Sequence, residues 1–349
     1  MCGCKIAGVG SRFMPVFSDC EFPLLDDAET IGRVRAAVSA GQPSSLIRLG
    51  DGEAIVLSYG DDTWLQDLAY LHGHWGSEGV TLGAISEVKR DLQAAVEGAD
   101  FVGVREDIVN VEVPEDLLDR SAREIKDHVR SAFHLRESER AGLGTDGERQ
   151  LAIARRLVLL HRSLSRVEWS DDQEFCSAWI HWALLTSGAL NSILEEVGEV
   201  GLVTSRPELE YLVARQFDIR TSVVIVPDKF IETQVSGQHV PDRYRTIRSE
   251  LRFPEGTLVL VGAGIPGKVY CQWLKESGCI AIDVGSVFDA WVGRASRPLL
   301  LRSFLGTTGG DGVPLQLQLR PSVRSEDRRL KPRWKPSAIS KSTEPSSLT

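Results

Sequence analysis

Thr257-Leu258-Val259-Leu260-Val261-Gly262-Ala263-Gly264-Ile265-Pro266-Gly267-Lys268 is the stretch on which the fold turns. Its apolar, β-branched first part reads as a buried strand over Thr257 to Val261. The glycines break that strand, and Gly267 to Ser277 reads as a helix. A further strand, Cys279 to Asp283, follows. Strand, tight turn, helix and strand in this order form the unit of a parallel sheet. The same alternation extends upstream, with strands at Ser45 to Leu49, Phe101 to Val104, Val200 to Thr204 and Thr221 to Val226. Helices are expected at Asp26 to Ala40, Val80 to Gly98, Leu151 to Arg166, Glu174 to Leu194 and Pro207 to Phe217, and an exposed one at Glu115 to Glu139. The expected fold class is α/β: a Rossmann-like, mostly parallel sheet covered by helices on both faces.

The chain has 349 residues, 42% of them hydrophobic, which is enough for a sizeable core. The expected organisation is an N-terminal arm over 1–24, one domain over 25–305, and a basic Ser- and Pro-rich tail over 306–349 that reads as disordered. The net charge of −9 argues against a nucleic-acid partner. Residues 320–349 carry +5, a solvated terminus or a tether to an acidic partner. No apolar run spans a bilayer and no secretory leader opens the chain, so no transmembrane segment and a cytoplasmic location are expected. Of six cysteines, Cys176, Cys271 and Cys279 lie in apolar surroundings and read as reduced core thiols.

Three constellations carry chemistry, each at a strand end, where open α/β sheets bind ligands. The first is Arg48-Leu49-Gly50-Asp51-Gly52-Glu53. Gly50 and Gly52 let a ligand approach the backbone. Asp51 and Glu53 suit a hard divalent ion, or else simply cap a helix. Arg48 suits a carboxylate or phosphate. The second is Gly262, Gly264 and Gly267 with Lys268, a G-x-G-x-x-G turn at a helix N-terminus, which suits an anion. Asp283 stands where a dinucleotide fingerprint has its acid, but Val269 replaces the hydroxyl residue of a P-loop. The third is Asp283-Val284-Gly285-Ser286-Val287-Phe288-Asp289, whose acids suit sugar hydroxyls or turn formation. Ser205, Arg206, Asp228 and Lys229 lie at the same edge. Trp179, His181 and Trp182 read as packed core on a helix, and His72, His74 and Trp75 as a Gly-rich loop able to cover a sugar.

In their order these motifs resemble the bacterial glycosyltransferases of the GT-D type, which open on an arginine, one intervening residue and Gly-Asp-Gly-Glu, here Arg48 to Glu53. They close on a glycine turn with lysine and an Asp-(Ile/Val)-Gly segment, here Gly262 to Lys268 and Asp283 to Gly285, with Asp289 and Trp291 beyond. The resemblance spans about residues 28 to 295, and only these two blocks are specific. It departs at Ser286, where the family often has His, and at Phe175 to His181, which replaces a Ser-Arg-Pro-Tyr-type segment.

The resemblance implies a hexosyltransferase that moves a sugar from a nucleotide-diphosphate sugar, UDP-sugars being favoured, to a hydroxyl of a glycan, glycoprotein or lipid-linked acceptor. It implies Mn²⁺ or Mg²⁺ at Asp51 and Glu53, with Arg48 beside them. Gly50, Gly52, Arg206, Gly262, Gly264, Gly267, Lys268, Asp283, Gly285, Ser286 and Asp289 would then contact the donor. Homo-oligomerisation is left open. Two other classes stay open: an NAD(P)-dependent oxidoreductase using the Gly262-Gly264-Gly267 turn, and a non-catalytic nucleotide- or glycan-binding module.

Overall fold

The computed structural model describes residues 24–60, 65–105, 155–228 and 237–294. The expected arm, the helix at Glu115 to Glu139, Lys229 and the basic tail lie outside them.

Among the described residues, eight strands form one sheet, parallel at every pairing. In chain order they are β1 (Leu24–Leu25), β2 (Ser44–Arg48), β3 (Phe101–Val104), β4 (Glu174–Ser177), β5 (Glu199–Thr204), β6 (Arg220–Ile225), β7 (Leu258–Gly262) and β8 (Ile280–Asp283). Their order across the sheet is β1-β4-β3-β2-β8-β7-β5-β6. The chain thus builds one half outward from β2, then returns to lay β8 against β2, with Leu46 in register with Ile282. The seam between β2 and β8 is a topological switch point, the place where open α/β sheets put their ligand crevice, outside the carboxyl ends of the strands.

Helices cover both faces, as a parallel sheet requires. On one face lie α2 (Asp51–Leu57), α3 (Leu65–Trp75), α4 (Leu82–Gly98), α5 (155–164), α9 (Tyr244–Ile247) and α10 (Pro266–Glu276), around a core that includes Ile47, Val88, Val102, Leu157 and Val261. On the other lie α1 (Asp27–Ala40), α6 (Ile180–Thr186), α7 (Ala189–Glu196), α8 (Glu208–Phe217) and α11 (Val287–Trp291), around Leu46, Leu202, Leu260, Ile282 and Trp291. Alternate residues of β2 feed opposite cores, Leu46 one and Ile47 the other, so the strand reads as a continuous apolar run. The helix ends are specified locally. The Asp26 carboxylate accepts the Glu29 amide at 2.7 Å at the start of α1, and Gly41 closes it with φ +62°.

Two expectations need correction. Glu174 to Leu194 is not one helix. Its first four residues are β4, because Phe175 and Cys176 slot between β3 and β1, and Gly188 (φ +77°) separates α6 from α7. Residues His72 to Trp75 are not a loop. They end α3, where His74 Nδ1 lies 2.9 Å from the Tyr70 carbonyl oxygen and the two rings stack. Trp75 is buried in the core, so it cannot cover a sugar. Cys176, Cys271 and Cys279 are free and buried, as expected. Among the described residues no helix is long and apolar enough to cross a membrane.

Candidate functional site

The first and last sequence blocks meet at the β2–β8 seam. Arg48, the final residue of β2, reaches across to β8. Its Nε donates to the Asp283 carbonyl oxygen at 2.9 Å, and Nη2 donates to Asp283 Oδ1 at 3.2 Å. Nη1 lies 2.8 Å from His181 Nδ1 and donates to the Ala178 carbonyl oxygen at 3.3 Å. Backbone without side chains makes room for it. A Cβ on Gly285 (φ +49°) would collide with Arg48 Nη2, and one on Gly103 would lie 3.1 Å from Arg48 Cγ.

Lys268, on the first turn of α10, points back into the same crevice. Its Nζ lies 2.8 Å from Glu53 Oε1 and 3.1 Å from Asp283 Oδ2, and it donates to the Gly264 carbonyl oxygen at 3.1 Å. The ammonium is thus ion-paired with two carboxylates and hydrogen-bonded to a backbone carbonyl oxygen. Glu53 is the third residue of α2. Its other oxygen, Oε2, accepts the Gly50 amide at 2.9 Å, one arm of a capping box. Asp283 is fully buried, and burial alone would raise its pKa. The Arg48 and Lys268 charges outweigh that and hold it below the usual carboxylate range. Burial likewise pulls Lys268 down, and Asp283 with Glu53 more than offsets the pull, so its pKa is raised. Asp283 and Lys268 are therefore both charged at neutral pH.

Asp51 opens α2 and points elsewhere. Helical residues two apart do not face each other, and the Asp51 Oδ2 atom lies 3.5 Å from Arg156 Nη1 on α5. Arg156 also donates from Nε to Asp67 Oδ1 at 2.9 Å and stacks over the Tyr70 ring at 4.8 Å. Arg155 holds the other Asp67 oxygen at 2.7 Å. Asp51 keeps partial exposure, with its side chain 23% accessible.

Along the same edge, Arg206 follows β5 and donates from Nε to Asp289 Oδ1 of α11 at 2.8 Å. Its Nη1 is buried with no hydrogen-bond partner among the described residues. Ser205 Oγ donates to Asp228 Oδ2 at 3.4 Å, beyond β6. Beyond β3 and β4, Arg105 stacks over the Trp179 ring at 4.5 Å. Trp182 and His181 are buried as expected, whereas Trp179 is half-buried.

The glycine turn is shaped for packing. Gly262 has no room for a Cβ beside Phe288, Gly264 holds φ +62°, and a Cβ on Gly267 would press on Val261 at 3.3 Å. Pro266 has no amide proton, and the Gly267 and Lys268 amides donate to the Gly264 and Ile265 carbonyl oxygens at 3.1 and 3.3 Å. Those two amides are thus already engaged. Ser286 precedes α11 without capping it.

The expected divalent ion fits this donor set poorly. Both Glu53 oxygens are taken, one by an ammonium, and Asp51 lies on another side of α2 against a guanidinium. Among the described residues no group of three or more His, Cys, Asp or Glu is arranged to hold a metal.

Sequence spacing did not pick out the partners Arg105, Arg156, Asp67 and Tyr70, nor His181 as a contact of Arg48. Arg105 directly follows β3 and Arg48 ends β2, and that strand-end rule was the one signal available for Arg105.

No curated protein matches the chain. Three solved structures do. A selenomethionine-substituted structure of domain of unknown function 1792 is 14% identical, with 76% of this chain and 78% of that one covered and a TM-score of 0.42. A second structure of that domain, described as having a distinct glycosyltransferase fold, is 15% identical over the same shares with a TM-score of 0.41. A third, described as a new glycosyltransferase from Streptococcus sanguinis, is 13% identical over 73% and 79%, with a TM-score of 0.36. A family model described as a GT-D fold-like domain matches residues 25–140. Over that third of the chain, the stretch that carries Arg48, Asp51 and Glu53, the sequence is similar to a GT-D fold-like domain.

Proposed function

We propose that the protein is a glycosyltransferase that takes a nucleotide-diphosphate sugar as donor and the hydroxyl of a glycan, glycoprotein or lipid-linked acceptor as its second substrate. One observation carries this reading: Arg48 and Glu53 from the beginning of the fold meet Lys268 and Asp283 from its end at a switch-point crevice. The GT-D-like match over residues 25–140 and the glycosyltransferase described among the structural matches agree with it.

In the reaction the acceptor oxygen forms a bond to the anomeric carbon. The bond from that carbon to the donor phosphate oxygen breaks, and its electron pair leaves with the nucleoside diphosphate. Charge grows on the leaving diphosphate. Arg48, Lys268 and the spare Nη1 of Arg206 are the donors that would stabilise it. Asp51, at the start of α2 with its side chain 23% accessible, would accept the acceptor proton. Glu53 and His181 position Lys268 and Arg48.

The oxidoreductase reading loses support from Asp283. The acid that would hold a ribose hydroxyl is buried and paired with two cations. The deciding experiment is a screen of nucleotide sugars by thermal shift, followed by donor hydrolysis. A nucleotide sugar should raise the melting temperature and release nucleoside diphosphate. A shift with NADH and none with any nucleotide sugar would overturn the reading.

A further inference from the structure

We infer that Lys268 and Arg48 together stand in this crevice for a divalent cation, so that sugar transfer here proceeds without a metal ion at Glu53. The inference rests on the transferase reading for its role and on side-chain geometry for its content.

Two carboxylates, Glu53 from α2 and Asp283 from β8, converge on a single point, and the Lys268 ammonium fills that point at 2.8 and 3.1 Å. It also donates to the Gly264 carbonyl oxygen. The nitrogen thus sits among three oxygens, as a small hard cation would. Arg48 closes the other side of Asp283 at 3.2 Å. Two monovalent cations against two carboxylates give the same neutralisation that one divalent ion would bring.

Admitting a metal at Glu53 would require the ammonium to leave. It has little freedom to do so, because Lys268 is 6% exposed and held between two carboxylates and the Gly264 carbonyl oxygen. A divalent ion beside it would meet a like charge in a poorly solvated site, where such repulsion is strong. Asp51 offers no substitute chelate, since it lies on another side of α2 and faces Arg156. Phosphate recognition therefore falls to fixed side-chain cations, and no ion has to be recruited before the donor binds.

The test uses the full chain, stripped with EDTA and desalted. Mn²⁺ binding is followed by electron paramagnetic resonance of the free ion, and UDP binding by calorimetry with EDTA or with Mn²⁺. The wild type should retain no Mn²⁺, and its UDP affinity should differ by less than about twofold between the two conditions. Lys268→Ala should open a gap between Glu53 and Asp283 and tighten Mn²⁺ binding by about tenfold or more. Should Lys268→Ala fail to fold, Lys268→Met keeps the stem, and the wild-type arm decides alone. One Mn²⁺ held per wild-type chain and released by Glu53→Gln would overturn the inference. Failure of the transferase reading looks different: no nucleoside diphosphate binds with or without Mn²⁺, while the manganese titration still reads the site.

Discussion

Gly285→Ala should disable the crevice from the backbone side. Gly285 holds φ +49°, and an added Cβ would collide with Arg48 Nη2. The first cost is conformational, roughly 1–2 kcal/mol for a left-handed residue with a Cβ. The second is the loss of the Arg48 bond to Asp283, a charged hydrogen bond worth about 1.5–3 kcal/mol, since the guanidinium must move. Lys268 still holds Asp283, so no buried charge is wholly abandoned. The expected destabilisation is about 2.5–5 kcal/mol, against a typical total of roughly 5–15 kcal/mol, so the variant should still fold. Gly41→Ala is the control. It too has positive φ, +62°, but open space around its Cβ, so it should lose only the first part, about 1–2 kcal/mol. Urea unfolding at unchanged slope measures both, and donor hydrolysis should fall about tenfold or more only in Gly285→Ala. Equal destabilisation of the two variants, with hydrolysis intact, would refute the claim that Gly285 exists to admit Arg48.

Other outcomes follow from the same contacts. Asp51→Asn should cut donor turnover about 100-fold with little change in melting temperature, and Glu53→Gln should lower stability by about 1–3 kcal/mol because the buried Lys268 loses a charged partner; kinetics and thermal melts of both variants separate the roles. Burial lowers the His161 pKa from an ordinary 6.5 to about 4. Below pH 6.5 the unfolded chain takes up a proton that the folded chain refuses until near pH 4, so stability should fall by about 2 kcal/mol by about pH 5, and His161→Leu should flatten that part of the profile in urea titrations. The Cys271 thiol, fully buried with its pKa pushed well above the usual range by burial, should resist a thiol reagent in the native protein and react on unfolding.

Much of this could be read in advance because parallel sheets leave plain marks. Apolar runs ending in Gly or Asp located β2, β7 and β8, and the strand-end rule located Arg48, Arg206 and Asp283. The misreadings have a common physical cause. Glu174 to Ser177 is too short to distinguish strand from helix by period, and pairing with β3 and β1 decided it. Gly73 suggested a loop, yet the α3 stretch around it stays helical because Leu71 and Trp75 bury their side chains. Long-range electrostatics was invisible. The Glu53–Lys268 pair joins residues far apart in the chain, and no local spacing announces that a presumed ligand already has a counter-ion. His181 was correctly placed in the interior, but burial alone does not reveal that its ring leans on Arg48.

The insertion of β8 beside β2 has a consequence for the order of assembly. The first half of the sheet can pair β2 with β3 and β4 while the ribosome is still making the rest. Until β8 arrives, the inner edge of β2 is unpaired, and Arg48 and Glu53 lack the partners that orient them. Competence therefore comes with the docking of the last central strand, a slow long-range event. Until that docking occurs, a nascent chain has no assembled cluster of Arg48, Glu53, Lys268 and Asp283 to offer any ligand.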